Sequence, residues 1–375
     1  MLKKIIPFIL FFCFAQNLIS QLSQQAEISL ITCRPGDEIY STFGHTAIRV
    51  QDPTRDMDIL YNYGMFSFDE PNFTAKFLRG KLEYWLGIES YRSFINSYSN
   101  EKRTVIEQKL KLDFDQRNQV FRALRNNLKP ENRKYLYDFF FDNCSTRPRD
   151  ILIDNISDIS FGLEAYPPSF RELISQYTVN KPWTDFGIDL IVGSVADRKA
   201  SVRDQMFLPE YLMHHFDRSG KVGGTDILLD YEKEAATRKH SPWFSPVLFF
   251  ALILLLEIYL FIKFRERSHS YIRSYDKTFF TLLGIGGLLL LFMWFGTDHI
   301  ATKQNMNILW MHPLYFFLLK AKNKKGFIYL LIGLALLALI QLPFFQELHM
   351  ASVMLILVCF LKLLRKLKTQ SISAV

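Results

Sequence analysis

The chain has 375 residues, of which 49% are apolar, 15% aromatic and 22% charged, and its formal net charge is +8. This composition excludes an intrinsically disordered or collagen-like chain. Four cysteines without a CxxC spacing exclude a disulfide-dense scaffold and a CxxC metal site.

The N-terminus has the layout of a secretory signal peptide. A basic start ending at Lys4 precedes an uncharged apolar stretch over residues 5–15, and small or polar residues follow up to Ser20. The apolar stretch is too short to cross a hydrocarbon layer of about 30 Å. We therefore predict a signal peptide over residues 1–20, with an uncleaved anchor as the alternative, and export of the segment that follows.

The exported segment, residues 21–241, begins with strand patterns. Short runs rich in β-branched residues at 28–31, 46–50 and 59–63 predict strands, and the turn at 52–54 joins the last two as a hairpin. If that turn centres near residue 54, His45 lies opposite Tyr63 and close to Asn62.

A change of pattern follows Gly80. Residues 81–85 predict a strand, and apolar residues at helical spacing over 91–128 predict a helix interrupted near residues 112–115. An aromatic run then leads to Cys144. Asn143, Ser145 and Thr146 supply capping groups for a helix that Pro148 does not disrupt.

The remainder, residues 242–375, predicts an all-α membrane domain of about five transmembrane helices. The apolar runs are 243–262, 279–295, 308–319, 327–345 and 348–361. Lysine and arginine are concentrated in alternate connections and in the tail, which places the basic loops and the C-terminus in the cytoplasm. An odd number of spans then places residues 21–241 outside, in agreement with a signal peptide.

Cys144 and His45 are the candidate catalytic pair. A thiol at a helix N-terminus has a lowered pKa, and a nearby imidazole would exchange its proton. The spacing alone also fits an inert buried cysteine and a core histidine. Cys33 is a competing nucleophile that follows a strand rather than starting a helix, and a Cys33–Cys144 disulfide would abolish the catalytic interpretation.

Several motifs together carry a resemblance to a known family. A Gly-His strand that precedes an Asn-Cys helix start resembles the circularly permuted papain-like enzymes, which include NlpC-related hydrolases and the lecithin:retinol acyltransferase group. The segments 29–50, 61–64 and 140–147 are more closely similar to the periplasmic domain of the Lnb lipoprotein N-acyltransferases of Bacteroides-type bacteria. Residues 295–299 and 305–307 are similar to the membrane region of that family. The resemblance implies an α+β exported domain of circularly permuted papain-like fold.

The resemblance also implies an acyl transfer in the inner membrane. A phospholipid would donate a fatty acyl chain to the Cys144 thiolate, and the α-amine of a diacylglyceryl-cysteine lipoprotein would then attack the thioester. His45 would act as general base, with Asn62 as its orienting group, and no cofactor or metal ion is needed. Backbone N–H groups at the helix start, with Asn143 or Ser145, would hold the oxyanion.

Three further residues are weaker candidates for substrate binding. Arg147 lies close in sequence to Cys144 and could meet a lipid phosphate, although a solvated helix face is the simpler explanation. Asp298 and His299 lie in an unusually polar loop on the predicted outer face, which is either functional or merely solvated.

The same Cys–His chemistry leaves other functions open. Hydrolysis of the thioester by water would make the protein a phospholipase. An NlpC-type peptidoglycan amidase or endopeptidase would use the same chemistry but would need no extensive membrane half. A non-catalytic membrane scaffold is the third alternative. A nucleic-acid partner is disfavoured because the exported segment has no concentrated basic stripe.

Overall fold

The computed structural model describes residues 21–237, 244–263, 270–320, 325–341 and 345–372. The predicted signal peptide over residues 1–20 therefore lies outside the described residues. Contacts divide the chain into two compact units: residues 21–167 with 200–237 form the first, and residues 168–199 with those described from 244 onward form the second. The segment 168–199 thus groups with the membrane helices, although it precedes the predicted domain boundary at 241.

The first unit is built on a seven-stranded antiparallel sheet with the strand order β6-β4-β3-β2-β1-β5-β7. The strands are β1 Glu27–Cys33, β2 His45–Asp52, β3 Met57–Met65, β4 Glu83–Ser90, β5 Val105–Leu110, β6 Lys134–Leu136 and β7 Val222–Leu229.

Seven helices accompany this sheet, and the longer ones cover its two faces. They are α1 Phe73–Leu78, α2 Tyr91–Asn100, α3 Phe114–Asn127, α4 Thr146–Asn155, α7 Val202–Gln205, α8 Pro209–Arg218 and α9 Glu232–Thr237. One face buries Phe94 of α2 against Ile31 and Leu60, and the other packs α3, α4 and α8 against the opposite side chains of β1, β2 and β3. This is the alternation expected of strands covered on both sides.

The predicted helix over residues 91–128 is wrong in its middle. It comprises α2, then β5 in the sheet between β1 and β7, then α3. A six-residue run that is apolar at both ends satisfies helical and extended periodicities almost equally, and pairing with two neighbouring strands decides between them. The strand predicted at 81–85 is β4, which begins two residues later and extends to Ser90.

The predicted β2–β3 hairpin is present, but its register differs by one residue. Ile48 pairs with Tyr61 and Asp52 with Met57, so the same register continued to His45 places it opposite Gly64 rather than Tyr63. The difference matters because a one-residue slip exchanges the faces of a strand. In the observed register His45 and Asn62 share a face as diagonal neighbours, whereas the predicted register would have separated them.

The second unit is helical. Its helices are α5 Phe170–Thr178, α6 Pro182–Ile191, α10 Pro246–Lys263, α11 Ser270–Phe295, α12 Tyr315–Lys320, α13 Lys325–Ile340 and α14 Met350–Ile372. Among the described residues, α10 and α11 are long and apolar enough to cross a membrane, and α13 is a shorter apolar helix. The start of the first predicted span, residue 243, lies outside the described residues.

The third predicted span, residues 308–319, is not one helix. A short 3₁₀ turn, Met306–Leu309, is followed by a break at Pro313 and then by α12. Proline lacks the amide proton that a continuing helix needs, and it disfavours helical geometry in the residue before it. The fifth predicted span corresponds to α14, which at 23 residues is considerably longer than the predicted 348–361.

Candidate active site

Cys144 lies two residues before the first residue of α4, at the helix start that the sequence pattern predicted. Asn143 builds this turn: its Oδ1 accepts hydrogen bonds from the backbone N–H groups of Ser145 at 2.8 Å and Thr146 at 2.9 Å. Its Nδ2 donates to the carbonyl oxygens of Phe139 and Phe207. The buried amide is therefore fully satisfied, which fixes the backbone that carries the thiol.

The first residues of β2 lie against this helix start. Thr46 Oγ1 is 2.8 Å from Ser145 Oγ, and the Thr46 backbone N–H donates to the Cys144 sulfur. The sulfur also receives the Cys144 N–H and the Ser145 hydroxyl. On the next strand, Gly64 has φ +91°, and a Cβ there would be 3.3 Å from Cys144 Cβ. Glycine thus permits both the backbone conformation and the close approach.

His45 is held by a chain of side chains on neighbouring strands. Its Nε2 is 2.5 Å from Asn62 Oδ1, and Asn62 Nδ2 donates to Glu89 Oε1 at 2.8 Å. Because the carboxylate fixes the Asn62 amide with its oxygen towards the ring, Nε2 must be the protonated nitrogen. The other ring nitrogen, Nδ1, then carries the lone pair that can accept a proton.

Burial keeps both members of the pair neutral. It lowers the pKa of His45 to about 4, against a smaller opposing effect of the Asn62 hydrogen bond. It also raises the pKa of the Cys144 thiol, although three hydrogen bonds to the sulfur act in the opposite direction. The helix dipole favours the thiolate by only about 0.3–1 kcal/mol in ordinary settings, so desolvation prevails here.

Two residues near the thiol were not predicted from the sequence. The Tyr137 hydroxyl is hydrogen-bonded to the Cys144 sulfur. Arg103 is buried, and its Nη2 has no hydrogen-bond partner among the described residues, while its positive charge favours thiolate at Cys144 and neutral imidazole at His45. A tyrosine seven residues before the cysteine and an arginine in a short turn carry no local signal, since only tertiary folding brings them to the site.

Comparison with known proteins identifies the family of the chain. Residues 19–176 match the family model of the Lnb N-terminal periplasmic domain, and residues 237–371 match that of the Lnb transmembrane domain. The chain belongs to the Lnb family of lipoprotein N-acyltransferases. It is thus a membrane protein with a periplasmic domain, and Lnb membership suggests an acyltransferase of lipoprotein N-acylation. No curated protein and no solved structure is significantly similar to the chain.

The other predicted substrate-binding residues near Cys144 already have partners within the protein. Ser145 is buried beside the sulfur, but its amide and that of Thr146 are already bonded to Asn143, so neither is free for an oxyanion. Arg147 is paired with Asp142, with Nη2 at 2.7 Å from Oδ2, and stacks on the Tyr135 ring. Its cation is therefore neutralised within the protein.

Cys33 is the less suitable nucleophile. It pairs with His45 across β1 and β2 and is fully buried, and burial raises its pKa to about 12. Cys33 and Cys144 are both free thiols in the structure.

The two membrane-loop candidates lie in the second unit. Asp298 is exposed and His299 partly buried, on the segment between α11 and the 3₁₀ turn Ile300–Thr302. Within the described ranges, no group of three or more His, Cys, Asp or Glu side chains is placed to hold a metal ion.

Proposed function

We propose that this chain is a lipoprotein N-acyltransferase of the inner membrane that uses Cys144 as nucleophile and His45 as general base. The observation that carries the proposal is the Glu89–Asn62–His45 chain beside a thiol at a helix start, in a member of the Lnb family. The order of the two motifs, with the histidine strand before the cysteine helix, favours a permuted papain-like site. The distribution of basic residues favours a periplasmic catalytic domain and a cytoplasmic C-terminus.

The first half-reaction forms a thioester. As the Cys144 sulfur attacks the ester carbonyl of a phospholipid, its proton passes to His45 Nδ1. We expect the Cys144 N–H and the Tyr137 hydroxyl, which both bond the sulfur in the resting site, to shift to the tetrahedral oxyanion as the C–S bond forms, because the next two amides remain occupied by Asn143. The C–O bond then breaks, and His45 returns the proton to the departing alkoxide, which leaves as a lysophospholipid.

The second half-reaction transfers the acyl chain. The α-amine of a diacylglyceryl-cysteine attacks the thioester and His45 takes the amine proton. The C–S bond then breaks, and His45 returns that proton to the departing Cys144 thiolate. The products are the amide of a triacylated lipoprotein and the regenerated thiol, so the two steps balance without a cofactor.

Intact-mass measurement tests the proposal. The purified full-length protein is incubated with phosphatidylethanolamine as wild type, Cys144→Ser and Cys33→Ser, and a diacylated lipopeptide is then added. We expect one added acyl chain on wild type and on Cys33→Ser, none on Cys144→Ser, and transfer of that chain to the peptide amine. An adduct that is lost only to water would identify a phospholipase instead. No adduct in any variant would point to a cell-wall hydrolase or a scaffold.

A further inference from the structure

An exposed apolar segment follows β3, the strand that brings Gly64 to Cys144. Residues 66–82, which include α1, form what we call the aromatic lobe. Phe68 is 71% exposed, Phe77 49% and Leu78 46%. Large apolar side chains that cluster on a solvent-exposed surface in this way indicate an interaction site.

The aromatic lobe is connected to the nucleophile by rings in contact. We call these rings the aromatic row, and from the lobe inward they are Phe77, Phe73, Phe66, Tyr84 and Tyr137. Successive ring centroids are 4.6–6.1 Å apart, and Phe68 adds a further ring at 5.1 Å from Phe73. The row ends where the Tyr137 hydroxyl bonds the Cys144 sulfur. A continuous row of aromatic rings thus extends from the exposed lobe to the thiol.

We propose that the aromatic row binds the fatty acyl chain of a membrane phospholipid, which enters at the aromatic lobe and presents its ester carbonyl to Cys144. This inference rests on the proposed acyl transfer and specifies where the donor chain lies. A chain of methylene groups needs a long apolar surface that ends at the reacting atom, and this row supplies one.

The charges of the aromatic lobe fit a membrane as the source of that chain. Lys76, Arg79 and Lys81 alternate with Phe77 and Leu78 along α1 and just after it. Aromatic and basic residues side by side are typical of segments that rest at a lipid headgroup layer, where cations meet phosphates. Lys76 is already paired with Glu70 at 2.6 Å, so Arg79 is the residue that we expect to meet a phosphate.

Acylation by two esters of different length tests the proposal. The full-length protein in detergent reacts with p-nitrophenyl acetate or p-nitrophenyl decanoate, and the burst of p-nitrophenol reports acylation of Cys144. For Phe68→Ser/Phe77→Ser we expect the decanoate-to-acetate rate ratio to fall about tenfold, because apolar contact with the long chain is lost. The control is Tyr166→Ser, which removes a 95% exposed aromatic side chain outside the row. Its ratio should stay at the wild-type value.

A crosslinking experiment gives a readout that needs no turnover. Cys144→Ser protein is placed in vesicles of phosphatidylethanolamine and phosphatidylglycerol that carry a diazirine in one acyl chain, and peptides are mapped after irradiation. We expect crosslinks within residues 66–84 and at Tyr137, the inner end of the row.

The outcomes separate the two proposals. An unchanged ester ratio, or crosslinks confined to other segments of the exported unit, would overturn the acyl-chain track while leaving the nucleophile intact. Crosslinks with no burst from either ester in wild type would support lipid binding but overturn the transfer mechanism. A lobe that binds a protein partner instead would give neither a changed ratio nor lipid crosslinks.

Discussion

At the scale of single residues, the site differs from a preformed thiolate–imidazolium pair. Burial favours the neutral form of both Cys144 and His45, so the proposed mechanism requires the proton to pass as the substrate is attacked rather than beforehand. A neutral thiol is weakly nucleophilic, so in the proposed mechanism His45 would activate it during the reaction itself. The rate of this proton transfer should therefore depend strongly on the orientation of the His45 ring.

The first prediction concerns pH. Because the pKa of the thiol lies above its ordinary value of 9.0, alkylation of Cys144 by iodoacetamide should still accelerate above pH 9. Because the pKa of His45 is lowered to about 4, the imidazole is neutral and able to accept a proton throughout the range from 5 to 8, so acylation should lose its base only near pH 4. Mass spectrometry of the Cys33→Ser variant measures alkylation of Cys144 without a contribution from Cys33. An alkylation plateau that begins below pH 7 would show a preformed ion pair.

A second prediction tests the orienting chain. Asn62→Leu removes the acceptor for His45 Nε2–H, so the ring can turn and change tautomer. We expect the rate of thioester formation to fall about 100-fold, since small misplacements of a catalytic group have effects of that size. Glu89→Gln is the matched control, because its side-chain oxygen can still accept from Asn62 Nδ2. Equal losses in the two variants would argue that the negative charge of Glu89, rather than orientation, is what matters.

At the scale of elements, the site lies where a strand start, a strand end and a helix start converge. β2 supplies His45 and the Thr46 amide, β3 supplies Asn62 and Gly64, and the turn before α4 supplies the thiol. The sharpest constraint is the glycine on β3, because it meets the nucleophile directly.

Gly64→Ala is therefore predicted to damage acylation more than folding. An alanine at φ +91° costs about 1–3 kcal/mol of strain, and its methyl group would press on Cys144 Cβ at 3.3 Å. Gly220→Ala is the matched control, since that residue has φ +73° and no described atom lies within 4 Å of the position that an added methyl carbon would take. Both variants should lose similar unfolding free energy in thermal melts, but only Gly64→Ala should lose thioester formation. Equal activity in the two would remove the close contact as a constraint.

How far the sequence could specify these elements depends on how local their signals are. The helix start at Cys144 was predictable because Asn143, whose side chain accepts from the first amides, is adjacent in the chain, although Ser145 at the N-cap makes no side-chain capping bond. β5 was not, because its extended form is set by β1 and β7 on either side. Asn62 was found through hairpin pairing even though the register was off by one residue. Glu89, Arg103 and Tyr137 reach the site only through tertiary contacts, which no spacing rule describes.

At the scale of the whole molecule, buried polar groups organise the second unit. Asn305 and Asn307 donate to the carbonyl oxygens of Asp189, Leu190 and Ile191 at the end of α6. They satisfy acceptors that a helix terminus leaves open. The polar loop that could have been a solvated linker or a substrate site therefore has, at these two asparagines, a structural role.

A second buried network joins three helices of that unit. Glu257 on α10 is 2.8 Å from Lys362 and 2.5 Å from Arg365, both on α14. Asp276 on α11 is 2.7 Å from each of the same two cations. Two carboxylates and two cations balance, and Glu257 and Lys362 are fully buried. Desolvation of such a set is costly, so its stability depends on the balance being complete.

Glu257→Gln breaks that balance and leaves a buried positive charge in excess. We expect it to lower the unfolding free energy by about 3–5 kcal/mol, because removing one partner of a buried ion pair strands the other. Adding Lys362→Met restores one acid against one base, Asp276 against Arg365, and should recover part of the loss. Thermal unfolding of the full chain in detergent, followed by circular dichroism, measures all three proteins. A double variant less stable than Glu257→Gln would mean that packing of Lys362 against the Tyr275 ring, 3.4 Å from its ammonium, outweighs charge balance.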